Sequence, residues 1–360
     1  MDKNSMQAPA FPVIPAYDIA AAEAATQRQS RLTKPTGSLG RLEALSVQLA
    51  GITGSMSPAL HPALIAVFAA DHGVAAKGVS AYPTEVTTQM VLNYAAGGAV
   101  INALARSVGA DLVVVDAGVA GDLPADLPVI HRKIRRGTRD WSVEAAMTDQ
   151  ETRQAMTIGA DIIRHHPNIG LFAVGEMGIG NTATAAALAS ALTGTPSDDL
   201  VGRGTGVDDA GLANKRKVVA EGVERVKDVT DPYELLIELG GLEIAAMSGA
   251  ILAAVSRRIP VILDGFISTC AALVVVRLAP GIRDYLIASH RSQERGHSLL
   301  LEHLGLAPLL DLDLRLGEAS GAALAIPIVR ASRDVLRDVA TFEQAGVSDR
   351  ETEEQHNSSN

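Results

Sequence analysis

The chain has 360 residues, 47% of them hydrophobic and 3% aromatic, with a formal net charge of −10. The hydrophobic share supports a folded core and excludes a disordered protein. Few aromatics and an acidic balance speak against a nucleic-acid partner, which asks for stacking platforms and basic faces, but they leave room for a local pocket that takes a small anion.

Residues 1–16 are Pro-rich and read as an extended segment without the charged and apolar regions of a signal peptide. Helical periodicity follows from about Asp18 to Ser30 and again from about Leu39 to Ile52. Between them "RLTKPTGSLGRLE" is a loop in which Ser38 is placed to cap the second helix, with Glu43 too far along for a capping box. The pattern then changes. "ALIAVFAADHG", "ADLVVVDAGV", "IGLFAVGEMG", "IPVILDGF" and "DYLIASH" are short apolar runs separated by helical stretches, which predicts a parallel sheet covered on both faces. Sites in such sheets form at the carboxyl ends of the strands. The tips are Asp71-His72-Gly73, Asp116-Ala117-Gly118, Gly175-Glu176-Met177, Asp264-Gly265 and Ser289-His290, and all are expected in one crevice. "IPVILDGFISTCAALVVVRLAPG", interrupted by Asp264 and Arg277, reads as a buried strand plus helix and not as a membrane span. Cys270, the single cysteine, forms no intrachain disulfide, suits a reduced cytoplasmic setting and reads as a small core hydrophobe.

The expected architecture is α/β: a parallel sheet with helices on both faces, over residues 59–304. A small helical domain is expected from 17–58 and 305–345, followed by a polar, disordered tail at 346–360.

Several motifs carry possible chemistry. "VSAYPTEVTTQMVLNYAAGGAVINALAR" begins as a loop at Val79–Pro83 and becomes a helix; its Tyr82, Gln89, Met90 and Tyr94 suit either core or the wall of a flat-ligand site. "VGEMGIGNTATAAALAS" sets Glu176 before Gly178-Ile179-Gly180-Asn181-Thr182 and a helix over Thr182–Leu192, whose free N–H groups can hold a phosphate. It matches the dinucleotide fingerprint in outline, which keeps a nicotinamide-dependent oxidoreductase and a non-catalytic nucleotide-binding protein in view. The acid that the fingerprint requires has no strand to carry it in "LTGTPSDDLVGRG". A second glycine loop, "GRGTGVDD", again opens a helix, and Arg203, Lys215 and Arg216 follow as either nearby cations or a solvated face. No triphosphate-binding P-loop is present. His290 and His297 lack the spacing of a metal site, Asp311 and Asp313 suit either Mg²⁺ or an ordinary loop or exposed edge, and no metal is expected. Glu318, isolated among small residues in "LGEASGAALA", is either a general base whose pKa an apolar pocket would raise or a first-turn residue of a helix.

Taken in order, "KPTGSLGRLE", "AADHGV", "VSAYPTEVTTQMVLNY", "GEMGIGNTATAAAL", "GRGTGVDD", "PVILDGF", "SHRSQERGH" and "RLGEASGAALA" resemble nicotinate-nucleotide–dimethylbenzimidazole phosphoribosyltransferases, which make the lower-ligand nucleotide of cobalamin. The resemblance covers about Leu32 to Arg330. It implies a Rossmann-like parallel sheet, transfer from nicotinate mononucleotide to 5,6-dimethylbenzimidazole, a homodimer, and no metal or redox cofactor. It implies Glu318 as general base and Glu176 as a second carboxylate facing the ribose. For phosphate and ribose it implies Gly178, Ile179, Gly180, Asn181, Thr182, Gly204, Thr205, Gly206, Lys215, Asp264 and Ser292. Ser80, Tyr82, Gln89, Met90, Met177 and Leu316 are implied around the base. In the family pattern Gly-Thr is commoner where this chain has Ala319-Ser320, a change that narrows the pocket slightly.

Overall fold

The computed structural model describes residues 12–348. Six parallel strands form one sheet in the order β3-β2-β1-β4-β5-β6. They are β1 (Ala63–Ala70), β2 (Asp111–Gly118), β3 (Ile130–His131), β4 (Leu171–Met177), β5 (Val261–Leu263) and β6 (Leu286–Ala288). All eight residues of β1 are buried, which requires cover on both faces of the sheet. β1 pairs with β4 from Ala63↔Leu171 to Ala69↔Met177, and with β2 from Leu64↔Asp111. The strand order reverses between β1 and β4, so the crevice outside their carboxyl ends is the topological switch point where such sheets bind ligands.

The five apolar runs form strands, as their composition predicts. β3 was not expected, since two residues carry no periodicity. The Val79–Arg106 stretch gives two helices, Glu85–Ala95 and Val100–Val108; the chain turns at Gly97, whose φ is +77°. Residues 194–208 contain no strand, so the acid of a dinucleotide fingerprint has no carrier. The abundance of glycine and alanine serves close helix packing. A Cβ on Gly159, in the Asp149–His165 helix, would fall 1.8 Å from the Ala246 carbonyl oxygen, and one on Gly249 would fall 1.9 Å from that of Met156. The Leu242–Ser256 helix can lie this near only because those side chains are missing.

The described residues divide into two compact units, 60–327 with 12–16, and Tyr17–Ala59 with 328–348. The boundary at the carboxyl side therefore falls inside the Ser320–Asp338 helix, beside its internal Pro327, and not at the expected residue 304. Residues 305–327 belong with the sheet because Leu309 and Leu310 donate to the Ala288 and Ser289 carbonyls at 3.0 and 2.9 Å. The smaller unit contains the helices Ile19–Arg31 and Arg41–Thr53. Asp18 caps the first through the Ala21 N–H, and Arg28 binds the Leu336 and Val339 carbonyls. Ser38 does not cap the second helix: its N-cap is Gly40, and Glu43 instead accepts from the Leu39 N–H and from Lys34. Within the extended N-terminal segment, Pro15 and Ala16 accept hydrogen bonds from Tyr285 and Arg258. Of the expected tail, 349–360 lie outside the described residues, as do residues 1–11.

Candidate active site

At the switch point the chain encloses a cleft of about 240 Å³, lined by Tyr82, Glu176, Met177, Gly178, Ile179, Asn181, Thr182, Gly204, Thr205, Gly265, Phe266, Ile267, His290, Ser292, Glu294, Arg315, Leu316 and Gly317. Not every strand tip reaches it. Asp71, His72 and Gly73 line a separate cleft with Pro83 and Arg136. Asp116 accepts from the Val119 N–H at 2.9 Å and faces Lys133 at 3.5 Å. These tips serve loops of their own and correct the single-crevice expectation.

Glu176 ends β4, buried, and accepts a hydrogen bond from the Asn181 side-chain amide. Burial first, then the charges of Asp264 and Glu243, push its pKa up to about 8. The turn that follows brings β1 and β4 very close: a Cβ on Gly178 would stand 2.3 Å from the Ala70 carbonyl oxygen. The Asn181–Thr193 helix opens there. Ile179 lines the cleft, but its N–H is taken by Thr87 at 3.1 Å and is not free for an anion. Gly180 packs over His72 and Ala75 instead of facing the cleft. Behind this turn His72 pairs with Glu243 at 2.7 Å, both buried, and with Thr184, which also accepts from Trp141. Glu243 gave no signal in sequence because it lies within an apolar helix.

The second glycine loop meets the first through Lys215. This side chain is fully buried, donates to Thr182 Oγ1 at 2.8 Å and to the Gly202 carbonyl at 3.1 Å, and has its pKa lowered to about 8 by burial. Arg203 and Lys217 pair with Asp209 and Glu221 on the exposed surface. Within the loop Gly204 and Thr205 line the cleft and Gly206 does not. Thr205 Oγ1 is 3.1 Å from Ser80 Oγ and accepts from the Ala81 N–H, so Ser80 ties its loop to the glycine loop. Tyr82, Met177 and Leu316 line the cleft; Gln89 is exposed, Met90 half-buried, and neither lines it.

Glu318 sits just beyond the wall formed by Leu316 and Gly317. Gly317, Glu318 and Ala319 all have positive φ, at +83°, +62° and +63°, a conformation that costs energy in residues with a Cβ. The tight turn fits because β4 carries glycine opposite it: a Cβ on Gly175 would stand 2.2 Å from the Ala319 nitrogen. The Glu318 carboxylate is buried, Oε2 accepts no hydrogen bond, and burial raises its pKa. The buried Tyr94 hydroxyl faces both Glu318 and Glu176, and its pKa is raised by burial and by these carboxylates. Asp264 is buried and is not among the residues that line the cleft. Its Oδ1 accepts from the N–H groups of Gly321 at 2.7 Å and Ala322 at 3.1 Å, holding the start of the helix that follows Glu318; burial raises its pKa to about 7. It anchors the turn and is not itself a wall of the cleft.

Ser292 lines the cleft, and its N–H donates to His297 Nδ1 at 2.9 Å. With Nδ1 accepting and the ring neutral from burial, His297 donates from Nε2 to Thr269 at 3.0 Å. It is a structural histidine. Asp311 faces Arg291, and Asp313 accepts from Gln293. Among the described residues no group of three or more His, Cys, Asp or Glu could hold a metal ion. Sequence reasoning missed Arg315, Glu294 and Phe266 as lining residues, although each lies inside a motif that it singled out.

A family model described as a phosphoribosyltransferase matches residues 14–347. The nicotinate-nucleotide–dimethylbenzimidazole phosphoribosyltransferase of Chloroflexus aurantiacus is 51% identical over 336 residues, covering 92% of this chain and 96% of that protein. The protein of the same name from Cupriavidus taiwanensis is 49% identical over 340 residues, covering 94% and 98%. A crystal structure of that enzyme from Thermus thermophilus superposes with a TM-score of 0.88 at 44% identity, covering 92% of this chain and all of the other. With a switch-point cleft walled by both glycine loops and the buried Glu176, and relatives matched along nearly their whole length, this chain belongs to the nicotinate-nucleotide–dimethylbenzimidazole phosphoribosyltransferase family.

Proposed function

We propose that the cleft transfers the phosphoribosyl group of nicotinate mononucleotide to 5,6-dimethylbenzimidazole, giving α-ribazole 5′-phosphate and nicotinate. The observation that carries this reading is the gathering, at one switch point, of two glycine-loop turns braced by Lys215, with Glu176 in the cleft wall and Glu318 just behind it, both buried and of raised pKa. Lys215, with Thr182, Gly204, Thr205 and Ser292, holds the 5′-phosphate. Tyr82, Met177 and Leu316 flank the acceptor ring.

The donor ring is a cation bonded to the ribose through nitrogen. When that bond breaks, the electron pair leaves with the ring, which departs neutral and needs no acid. One benzimidazole nitrogen forms the new bond from the opposite face of the sugar, inverting the linkage in a single displacement. The positive charge gained by the acceptor is discharged when its other ring N–H gives its proton to Glu318, a role that burial suits by bringing a carboxylate's pKa toward neutrality. Glu176 faces the sugar and, when ionised, eases positive charge accumulating there. Asp264 acts through the Gly321 and Ala322 N–H groups, fixing the turn that presents Glu318. Holding both substrates together supplies the orientation. The reading includes a homodimer in the cytoplasm.

The test is a product assay with purified protein, both substrates and no added metal, read by mass and anomeric configuration. An α-linked product is expected. Donor binding without product would overturn the acceptor assignment, and absence of donor binding would overturn the reading altogether.

A further inference from the structure

One group in the cleft has the wrong sign for a phosphate site. Glu294 lines the cleft together with Arg315 and Gly204. Its Oε2 is buried and accepts no hydrogen bond. A Cβ on Gly202 would come within 2.5 Å of that oxygen, and one on Gly204 within 3.0 Å of Lys215 Nζ, so carboxylate and ammonium flank the same short loop. The positive charges of Lys215 and Arg315, and a hydrogen bond from the Gly204 N–H, all favour the charged form of Glu294, against a larger effect of burial.

We propose that Glu294 limits the affinity of the phosphate subsite: its carboxylate competes with the 5′-phosphate for the field of Lys215 and Arg315. The inference rests on the phosphate assignment made above. Its chemical sense follows from the reaction. Substrate and product both carry the 5′-phosphate, so grip on that group is the same before and after transfer. Such uniform binding does not speed the chemical step, and an overly tight grip retains the product. A fixed negative charge beside the subsite weakens the hold on both.

The experiment compares wild type, Glu294→Gln, Glu294→Ala and Lys215→Ala in steady-state kinetics, with inorganic phosphate as a competing ligand. Removing a unit charge a few ångströms from a phosphate is expected to lower both the mononucleotide KM and the phosphate inhibition constant roughly three- to tenfold. kcat is expected to stay level or fall. Both Glu294 variants should move the constants the same way, which separates loss of charge from a new amide contact or a packing fault. Unchanged or raised constants in both variants, while Lys215→Ala weakens phosphate binding, would overturn the inference and leave the subsite standing. Failure of phosphate to compete in any of the proteins would overturn both.

Discussion

Glu318 carries two local costs, a left-handed backbone and a buried carboxylate oxygen without a donor. Neither aids folding, and strain of this kind collects where a side chain must be held in one place for chemistry. Replacing Glu318 by Gln keeps the shape and removes the proton acceptor. Turnover should drop by roughly 10²–10⁴-fold, the usual scale for a positioned base, with an unchanged circular dichroism spectrum; turnover near wild type would reject the assignment. Glu176 makes a prediction about stability. Its pKa lies near 8 in the folded chain against an ordinary value of 4.5. The unfolded chain therefore releases this proton first as pH rises, and the folded state, still binding it, loses stability progressively from about pH 4.5 to about pH 8. Above that range the whole penalty remains. Glu176→Gln should thus raise the melting temperature most near pH 9 and little near pH 5 while lowering activity. Equal melting at both pH values would show that burial does not tax the charged form.

Among elements, the contact of β4 with the 317–319 turn is decisive. An alanine at Gly175 would meet the Ala319 backbone at 2.2 Å, and backbone has nowhere flexible to retreat. Gly175→Ala should cost about 1–3 kcal/mol, the usual range for overpacking, and should slow turnover by displacing Glu318; denaturant melts and kcat measured together check this. The long strands and both glycine-loop helices were legible because each repeats a pattern over many residues. β3 and the break at Gly97 were not, since two residues and one turn leave little trace. The site divides similarly. Glu176, Thr182 and Gly204 could be placed because each sits in a strand-to-helix or loop-to-helix turn. Asp264 occupies an equivalent tip, yet its carboxylate is taken by two N–H groups 57 and 58 residues further on. Such a choice of partner depends on tertiary placement. Glu243 became visible for the same reason, through distant neighbours and not through its own segment.

For the whole molecule, membrane attachment by a spanning helix finds no candidate: no helix among the described residues is long and apolar enough to cross a bilayer. The proposed homodimer predicts a sedimentation mass near twice the 37.4 kDa of the chain, independent of salt; a single-chain mass at micromolar concentration would refute it. A sheet this apolar also has to avoid pairing with copies of itself, because an open strand edge is a template for aggregation. At one margin β3 offers only two residues. At the other, the Ala288 and Ser289 carbonyls are already engaged by Leu309 and Leu310. The stretch that leads the chain to Glu318 therefore doubles as a guard strip. A substitution that loosened residues 308–311 would be felt as insolubility during expression as well as in the rate of the reaction.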